Sequence, residues 1–439
     1  MKKIIVAGLG HGGIAAAALL AEKGYDVTVY EMKSEGTLGY DWTDIFDPKS
    51  LAVAGMSMPD NDKFEYKEDM SFYPPNEKKH LSQHVPIHKR DIKMERKDIY
   101  NHFINYALER GVRIVYDCKV NSPLMSGSRV IGISSDKGDF YADLVIDACG
   151  MNSPVRQNLP GYSLVEKEVG RKEKITIYRA FYNKGSDCEV DSKFKITVFA
   201  GGVQGISWVA CEDDYTDVLI GRFEDFDVDE ALRFTDFLRQ TNPRIGTERL
   251  RGGQFAEIPV RRTLAVMVTD GYAAIGDSAF MPIPLIGSGI ANALHAAKIL
   301  ADTVAADKNQ AFTAETLWDY QVKYYKEVGA PLASLEAMKY FLLKLTPEEI
   351  NFFFDNEIIN EDDIAFAGDF NKLSDLLKLD PKAIAGKIKT ACSNTVLLKK
   401  LFAAVGDVAK VGAICAAMPK KWDYKKVALW AKTYTKAFK

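Results

Sequence analysis

Three glycines in G-x-G-x-x-G spacing, Gly8, Gly10 and Gly13, stand between a short β-branched run, Lys3 to Ala7, and an alanine-rich stretch, Ile14 to Lys23. Strand, tight turn and helix in that order form a phosphate cradle. Gly8 permits the turn, Gly10 lets backbone approach a pyrophosphate, and Gly13 lets the helix pack closely on the strand. The helix N-terminus adds free N–H groups aimed at the phosphates. Gly24 closes the helix, and a second strand, Asp26 to Tyr30, ends at Glu31, whose carboxylate can accept both ribose hydroxyls of an adenosine. The pattern supports dinucleotide binding. His11, inside the turn, reads as a tolerated loop residue with its side chain in solvent.

A second stretch, "DGYAAIGDSAFMPIPLIGSGIANALHAAKILADTV", carries related chemistry. Strand Tyr272 to Ile275 runs into Gly276-Asp277 and a proline-bearing loop, and Gly287-Ser288-Gly289 opens a helix at Ile290. A carboxylate at a strand end can bind ribitol hydroxyls, and a glycine-rich helix start stabilises negative charge on a pyrophosphate or a reduced isoalloxazine. The other reading is an ordinary strand, loop and helix; the Pro284-x-x-Gly287-x-Gly289 spacing argues against it.

The elements around these stretches must hold them in register. With 439 residues, 47% of them hydrophobic, the chain can bury a large core in two or three domains. A net charge of −3 gives no general attraction to nucleic acid or anionic membrane. The six cysteines have no C-x-x-C pair and no framework spacing, which predicts free thiols, a reducing cytoplasm and no structural zinc. The first strand begins within three residues of the start, which leaves no signal peptide, and no apolar stretch is long enough to span a bilayer.

Residues 32–94 are rich in turn formers ("SEGTLG", "MPDND", "YPPNEKK") and read as an irregular functional excursion. A helix follows in "ERKDIYNHFINYALERG", then strands in "VRIVYDCKV", "RVIGISSD" and "ADLVIDACG". Alternating runs over 160–260 ("KITIYRAFY", "KFKITVFA", "GISWVA", "DVLIGRF") predict an antiparallel sheet with one helix near 228–239. Beyond about 331 the chain reads as helical. Thr346, Pro347 and Glu349 form one capped helix start, and Asp380-Pro381 repeats the same logic.

These motifs resemble the flavoprotein monooxygenase superfamily, shared by aromatic hydroxylases, flavin-dependent halogenases and geranylgeranyl reductases. The resemblance rests on the Gly8-Gly10-Gly13 turn with Glu31, the Glu95-Arg96 helix start, "DLVIDACGMNSPVR" at 143–156 and "GDSAFMPIPLIGSGIANAL" at 276–294. It implies a resident FAD at one site. Glu31 would take the adenosine ribose, Arg96 would lie near the pyrophosphate and ribityl chain, and Asp277 would bind the ribitol. Gly150 stands within the third motif, and Pro284 to Gly289 would approach the flavin ring. No second G-x-G-x-x-G between strand and helix offers a separate NADPH domain.

Departures within the superfamily narrow the reaction. Hydroxylases carry Asp-Gly where this chain has Cys149-Gly150, and the Trp-x-Trp-x-Ile-Pro motif of tryptophan halogenases is missing. Geranylgeranyl reductases have a Tyr-x-Trp-x-Phe-Pro segment in the substrate sheet. Here Ile206 to Cys211 keeps only its tryptophan, Trp208, which lines an apolar tunnel or is simply a buried sheet residue. The segment "MKYFLLKLTPEEINFFF" is similar to the reductases' C-terminal region.

Other residues are weaker candidates. Tyr40, Asp41 and Trp42 follow the second strand and are substrate-pocket candidates; Cys149 and Cys211 read as small buried hydrophobes. His80, His84 and His88 recur every fourth residue, but Pro86 breaks a shared helix face, so they read as a solvated loop and no metal site is assigned. At the tail, Val427, Trp430, Tyr434 and Phe438 share a face ringed by lysines. Such a helix lies on anionic lipid or packs on its own protein.

The sequence therefore predicts an α/β protein with three parts. Residues 1–160 and 261–330 form a discontinuous Rossmann-like FAD-binding domain, 161–260 an antiparallel β-sheet substrate domain, and 331–439 a C-terminal helical domain. The expected activity is FAD-dependent reduction of carbon–carbon double bonds in an apolar, isoprenoid or lipid-like substrate. The expected partners are that substrate and an external electron donor, NAD(P)H or a reduced carrier; no nucleic acid is expected. The expected location is cytoplasmic, with the basic C-terminal helix as the candidate membrane contact. The alternatives are an FAD monooxygenase of an aromatic or polyketide-like compound and a non-catalytic flavin-binding or electron-transfer module. No catalytic residue is assigned.

Overall fold

In the computed structural model, which describes residues 1–186, 188–361 and 394–438, the strand Lys3–Ala7 lies central in a six-stranded sheet. Its apolar residues Ile4 to Ala7 are all buried, as expected of a strand covered on both faces. The order across the sheet is Val268–Thr269, Tyr272–Ala274, Leu144–Asp147, Lys3–Ala7, Asp26–Tyr30, Arg113–Val115. All neighbours are parallel except the terminal hairpin of the first two. The helix His11–Glu22 packs on the helix Ile290–Ala306, and small residues allow the approach. A Cβ at Gly12 would come within 3.1 Å of both Ala293 Cβ and Ile275 Cγ1.

The second sheet has seven strands in the order Ile245–Pro259, Lys174–Lys184, Tyr215–Arg222, Gly205–Cys211, Phe194–Val198, Met70–Tyr73, Leu81–Ser82. The five strands from the 174–259 region are antiparallel, but Met70–Tyr73 joins them in parallel. Residues 32–94 are thus not merely irregular. They extend this sheet, and Thr43–Phe46, Phe64–Tyr66 and Ile92–Glu95 build a three-stranded sheet of their own. Strands of two to four residues between turns are too short for periodicity to show.

The C-terminal region is helical where described. Ala314–Tyr324 continues through a π-turn, Tyr325–Gly329, into Ala330–Leu342, and Pro347–Asp355, Thr395–Ala416 and Tyr424–Lys436 follow. The Thr346 side chain caps Pro347–Asp355, with Glu349 returning the bond, while the Asp380-Pro381 start and Cys392 lie outside the described residues. The last helix decides between the two readings of its apolar face. Val427, Trp430 and Tyr434 are buried, with Trp430 and Tyr434 packed on Tyr325 at 5.6 and 5.8 Å, so that face is not free to enter lipid. Packing on its own core removes the same apolar area from water without a membrane. Among the described residues, no helix is long and apolar enough to cross a membrane.

One buried carboxylate joins the two sequence stretches that carry the dinucleotide signals. Asp147, at the end of Leu144–Asp147, accepts from Ser153 Oγ (2.6 Å), Tyr272 OH (2.9 Å), Ser278 Oγ (3.0 Å) and the Cys149 N–H (3.1 Å). The Gly150 N–H donates to Ser278 Oγ at 2.8 Å, and buried Arg156 donates to the Ser278 carbonyl at 2.7 Å. Asp147→Ala would leave these donors unpaired in a dry interior. We expect it to cost about 3 kcal/mol or more, read as a lower urea midpoint than wild type, whereas Asp139→Asn on the exposed strand Gly138–Tyr141 leaves the midpoint unchanged.

Candidate functional site

A single cavity of about 1750 Å³ opens along the C-terminal edge of the parallel sheet and extends under the second sheet to the C-terminal helices. Pockets of some 300–1,000 Å³ accommodate a drug-sized ligand, so this volume fits a large ligand together with a second one.

The sequence candidates converge on its first half. Gly8, Gly10, Gly13, Glu31, Arg96, Gly150, Gly276 and Asp277 all line it. Gly8 has φ +89°, and a Cβ there would sit 2.5 Å from the Ala148 carbonyl oxygen; at Gly13 it would meet Ala148 Cβ at 2.6 Å. Gly10 is the N-cap of His11–Glu22, and no side chain caps that start, which leaves first-turn N–H groups facing the cavity for an anion. At Gly150 and Gly276 an added Cβ would meet nothing within 4 Å and would occupy the cavity itself. Glu31 has a further role. Its carboxylate accepts the Leu9 N–H at 2.8 Å and the Lys33 N–H at 2.9 Å, bracing the glycine turn, and each oxygen keeps a second lone pair.

Charge is concentrated at one point of this half. Arg96 Nη1 lies 3.3 Å from Asp44 Oδ1, and the guanidinium is 5.4 Å from the Tyr40 ring centroid. Burial works against its charge, but Asp44, Tyr100 and Asp277 together hold it above the ordinary arginine value. Asp277 lines the cavity; desolvation there raises its carboxyl, Arg96 opposes that, and Asp44 adds to it. Asp44 Oδ2 and Arg96 Nε are buried with no hydrogen-bond partner among the described residues. Carboxylates, one guanidinium and unfilled backbone N–H groups match the hydroxyls and phosphates of a dinucleotide such as FAD.

Pro284, Gly287 and Gly289 also line the cavity, with Gly289 as the N-cap of Ile290–Ala306 and again no capping side chain. Tyr40 and Trp42 line it as a ring pair 4.4 Å apart. Asp41 does not, and this corrects its candidacy as a pocket residue. It turns outward to Arg251 at 3.2 Å, which also holds Glu95 at 2.7 Å. Residues 40–42 form a tight bend, with the Trp42 N–H donating to the Tyr40 carbonyl at 2.9 Å, and Asp41 at its tip also accepts the Gly252 N–H at 3.3 Å.

The second half is apolar. Ile175, Ile177, Phe194, Ile196 and Trp208 from the seven-stranded sheet face Leu335, Phe341, Phe353 and Phe354 from the helices. Trp208 therefore lines the chamber, 5.5 Å edge-on to Phe194 and 5.0 Å from the Arg179 guanidinium. Arg179 makes four hydrogen bonds: it holds Asp217 at 2.9 and 2.6 Å and donates to both the Thr43 carbonyl and, at 2.7 Å, Thr43 Oγ1. This pins the Thr43–Phe46 strand, and with it Asp44, to the substrate sheet. Asp44 and Lys67 are cavity residues that sequence reasoning missed. Both stand in 32–94, where Asp44 sits between Thr43 and Ile45 and Lys67 follows Tyr66, contexts that carry no cavity signal of their own.

One further expectation changes. His11 is buried rather than solvated, stacked on Tyr100 at 4.6 Å and edge-on to Phe103 at 5.6 Å. Burial and Arg96 lower its pKa to about 3. His80 stacks on Tyr73, and His84 lies 3.4 Å from Asp69, both exposed as expected of a loop. Cys211 is buried and Cys149 half-buried at the cavity, and burial raises both thiols.

Over 435 residues, 95% of this chain and 93% of the relative, the sequence is 23% identical to a digeranylgeranylglycerophospholipid reductase of Sulfolobus acidocaldarius. It is 26% identical to the Haloferax volcanii protein of the same name, over 68% of this chain and 75% of that one. No family profile matches. Among solved structures, a geranylgeranyl bacteriochlorophyll reductase-like protein of Thermoplasma acidophilum superposes with TM-score 0.73 at 18% identity, covering 92% of this chain and 99% of that one. This chain has the geranylgeranyl reductase-like fold. A triple mutant of the flavin-dependent brominase Bmp2 shares it more distantly, with TM-score 0.66 at 15% identity over 85% of this chain and 95% of that one.

The His11 environment gives a pH prediction. A histidine whose pKa falls from 6.5 unfolded to about 3 folded binds fewer protons when folded, so stability rises with pH across that interval and is lost progressively below 6.5. Between pH 7 and 5.5 the loss amounts to about 1 kcal/mol. Urea midpoints at the two pH values should show this loss in wild type and a smaller one in His11→Gln.

Proposed function

We propose that the protein is an FAD-dependent oxidoreductase that reduces carbon–carbon double bonds of an apolar, isoprenoid-like lipid. The observation that carries this reading is the continuity of the cavity, in which the dinucleotide cradle opens directly into a chamber walled by Trp208, Phe194, Phe341 and Phe353. The full-length similarity to named digeranylgeranylglycerophospholipid reductases supports the same substrate class. A chamber of that size beside the cradle also argues against a flavin carrier without a substrate.

FAD, when bound and reduced, would supply a hydride to one alkene carbon, and an acid or a water would supply the proton to the other. The protein's own groups bind and orient. The uncapped start of His11–Glu22 would neutralise the pyrophosphate, Glu31 would accept ribose hydroxyls, and Asp277 with Arg96 would hold the ribityl chain. The uncapped start of Ile290–Ala306 favours negative charge beside it. The aromatic and aliphatic walls exclude water from the chamber. Electrons enter from an external donor, and the outward lysines of Tyr424–Lys436 offer charge to an anionic surface without insertion.

Anaerobic photoreduction of the FAD-loaded protein, followed by geranylgeranyl lipid under argon, tests the proposal. Flavin reoxidation with saturated product is expected. A reduced flavin that persists until oxygen enters, and then yields hydroxylated product from an aromatic compound, would replace this reading with monooxygenation. Trp208→Ala removes ring surface from the chamber worth about 1–2 kcal/mol, so KM for the lipid should rise about tenfold with FAD retention unchanged.

A further inference from the structure

The apolar chamber is not uniform from end to end. Phe194, Ile196 and Val198, alternate residues of the strand Phe194–Val198, line it over about 13 Å. At the Val198 end the wall continues into the cluster of Phe199, Phe341, Phe353 and Phe354. At the other end Phe194 pairs with Met70, and three residues before Met70 stands Lys67, a cavity-lining lysine whose side chain is only 6% exposed. Its paired carboxylate, Asp91 Oδ2, is 3.7 Å away, within ion-pair range but longer than an ordinary hydrogen bond. Burial pushes the ammonium below the ordinary lysine value, with Asp91 opposing.

Lys67 is separate from the cation of the dinucleotide cradle. Tyr66 pairs with Ile92, whereas Arg96 follows Glu95 at the far end of Ile92–Glu95, about 10 Å along that strand. A buried ammonium is costly unless its donors are met by anions; Asp91 stands 3.7 Å from it, Asp69 adds attraction and Arg90 opposes it. We propose that Lys67 anchors the anionic head, a phosphate ester, of an amphiphile whose tail runs along Phe194, Ile196 and Val198 into the helical end of the chamber. The tail placement rests on the lipid reading above; the headgroup site rests on Lys67 and its surroundings.

Calorimetric titration of the FAD-loaded protein with hexadecyl phosphate, hexadecanol and inorganic phosphate tests this without turnover. Wild type should bind hexadecyl phosphate about tenfold or more tighter than hexadecanol, and inorganic phosphate should not displace the alkyl ester at tenfold excess. Lys67→Met should bring the two alkyl ligands within about twofold while leaving hexadecanol affinity intact, which also reports an intact chamber; Lys67→Arg should keep the preference. Equal binding of both ligands by wild type, equal weakening of both in Lys67→Met, loss of the preference in a folded Lys67→Arg, or displacement by inorganic phosphate would overturn the inference. A Lys67-dependent preference in a protein that reduces no alkene would retain the headgroup site and remove the reductase reading.

Discussion

The cradle depends on the buried carboxylate of Asp147. It ends the strand next to Lys3–Ala7, and its four donors come from that strand's own turn, from Tyr272 on the next strand and from Ser278 in the second glycine stretch. Such a group is tolerated in a dry interior only when its lone pairs are filled, so the turn after Asp147 and the segment around Asp277 must adopt one arrangement. Gly150 and Gly276, both at positive φ, face the cavity as a consequence. Segments more than a hundred residues apart thereby become two walls of one binding site.

A second buried group does the same for the lipid side. Arg179 sits on the substrate sheet, but half of its hydrogen bonds go to Thr43 on the small sheet between the two halves. Breaking one partner of a desolvated pair is far more costly than the pair's net contribution, so the two sheets are held in one relation. The chamber exists because that relation leaves a gap, which the helices Ala330–Leu342 and Pro347–Asp355 close with aromatic and aliphatic side chains. Asp44, next to Thr43, is carried into contact with Arg96 by the same restraint.

Much of the nucleotide half was legible locally. A glycine whose Cβ would touch the Ala148 carbonyl, a strand ending in Glu31 and a helix opening at Gly289 are short-range requirements, and their spacing follows from one turn at a time. The same local logic placed the Thr346 cap and the helix after Glu95. It failed where side-chain direction depends on a distant partner. His11 is buried because Tyr100 and Phe103 of another helix cover it, and Asp41 turns outward because Arg251 stands there. The lysine-ringed face of the last helix read equally well as lipid-facing or core-facing until Tyr325 was placed against it.

The sequence by itself determined the strand–turn–helix of the cradle, the alternation of the substrate sheet and the helical character of the described C-terminal region, because each is encoded within a window of neighbouring residues. Only the tertiary structure decided that 32–94 adds a parallel strand to that sheet, that Trp208 faces a cavity rather than a packed core, and that Lys67 stands buried at one end of it. Those outcomes turn on which surfaces meet across long stretches of chain. No local pattern records a pairing whose energy comes from a partner a hundred or more residues away.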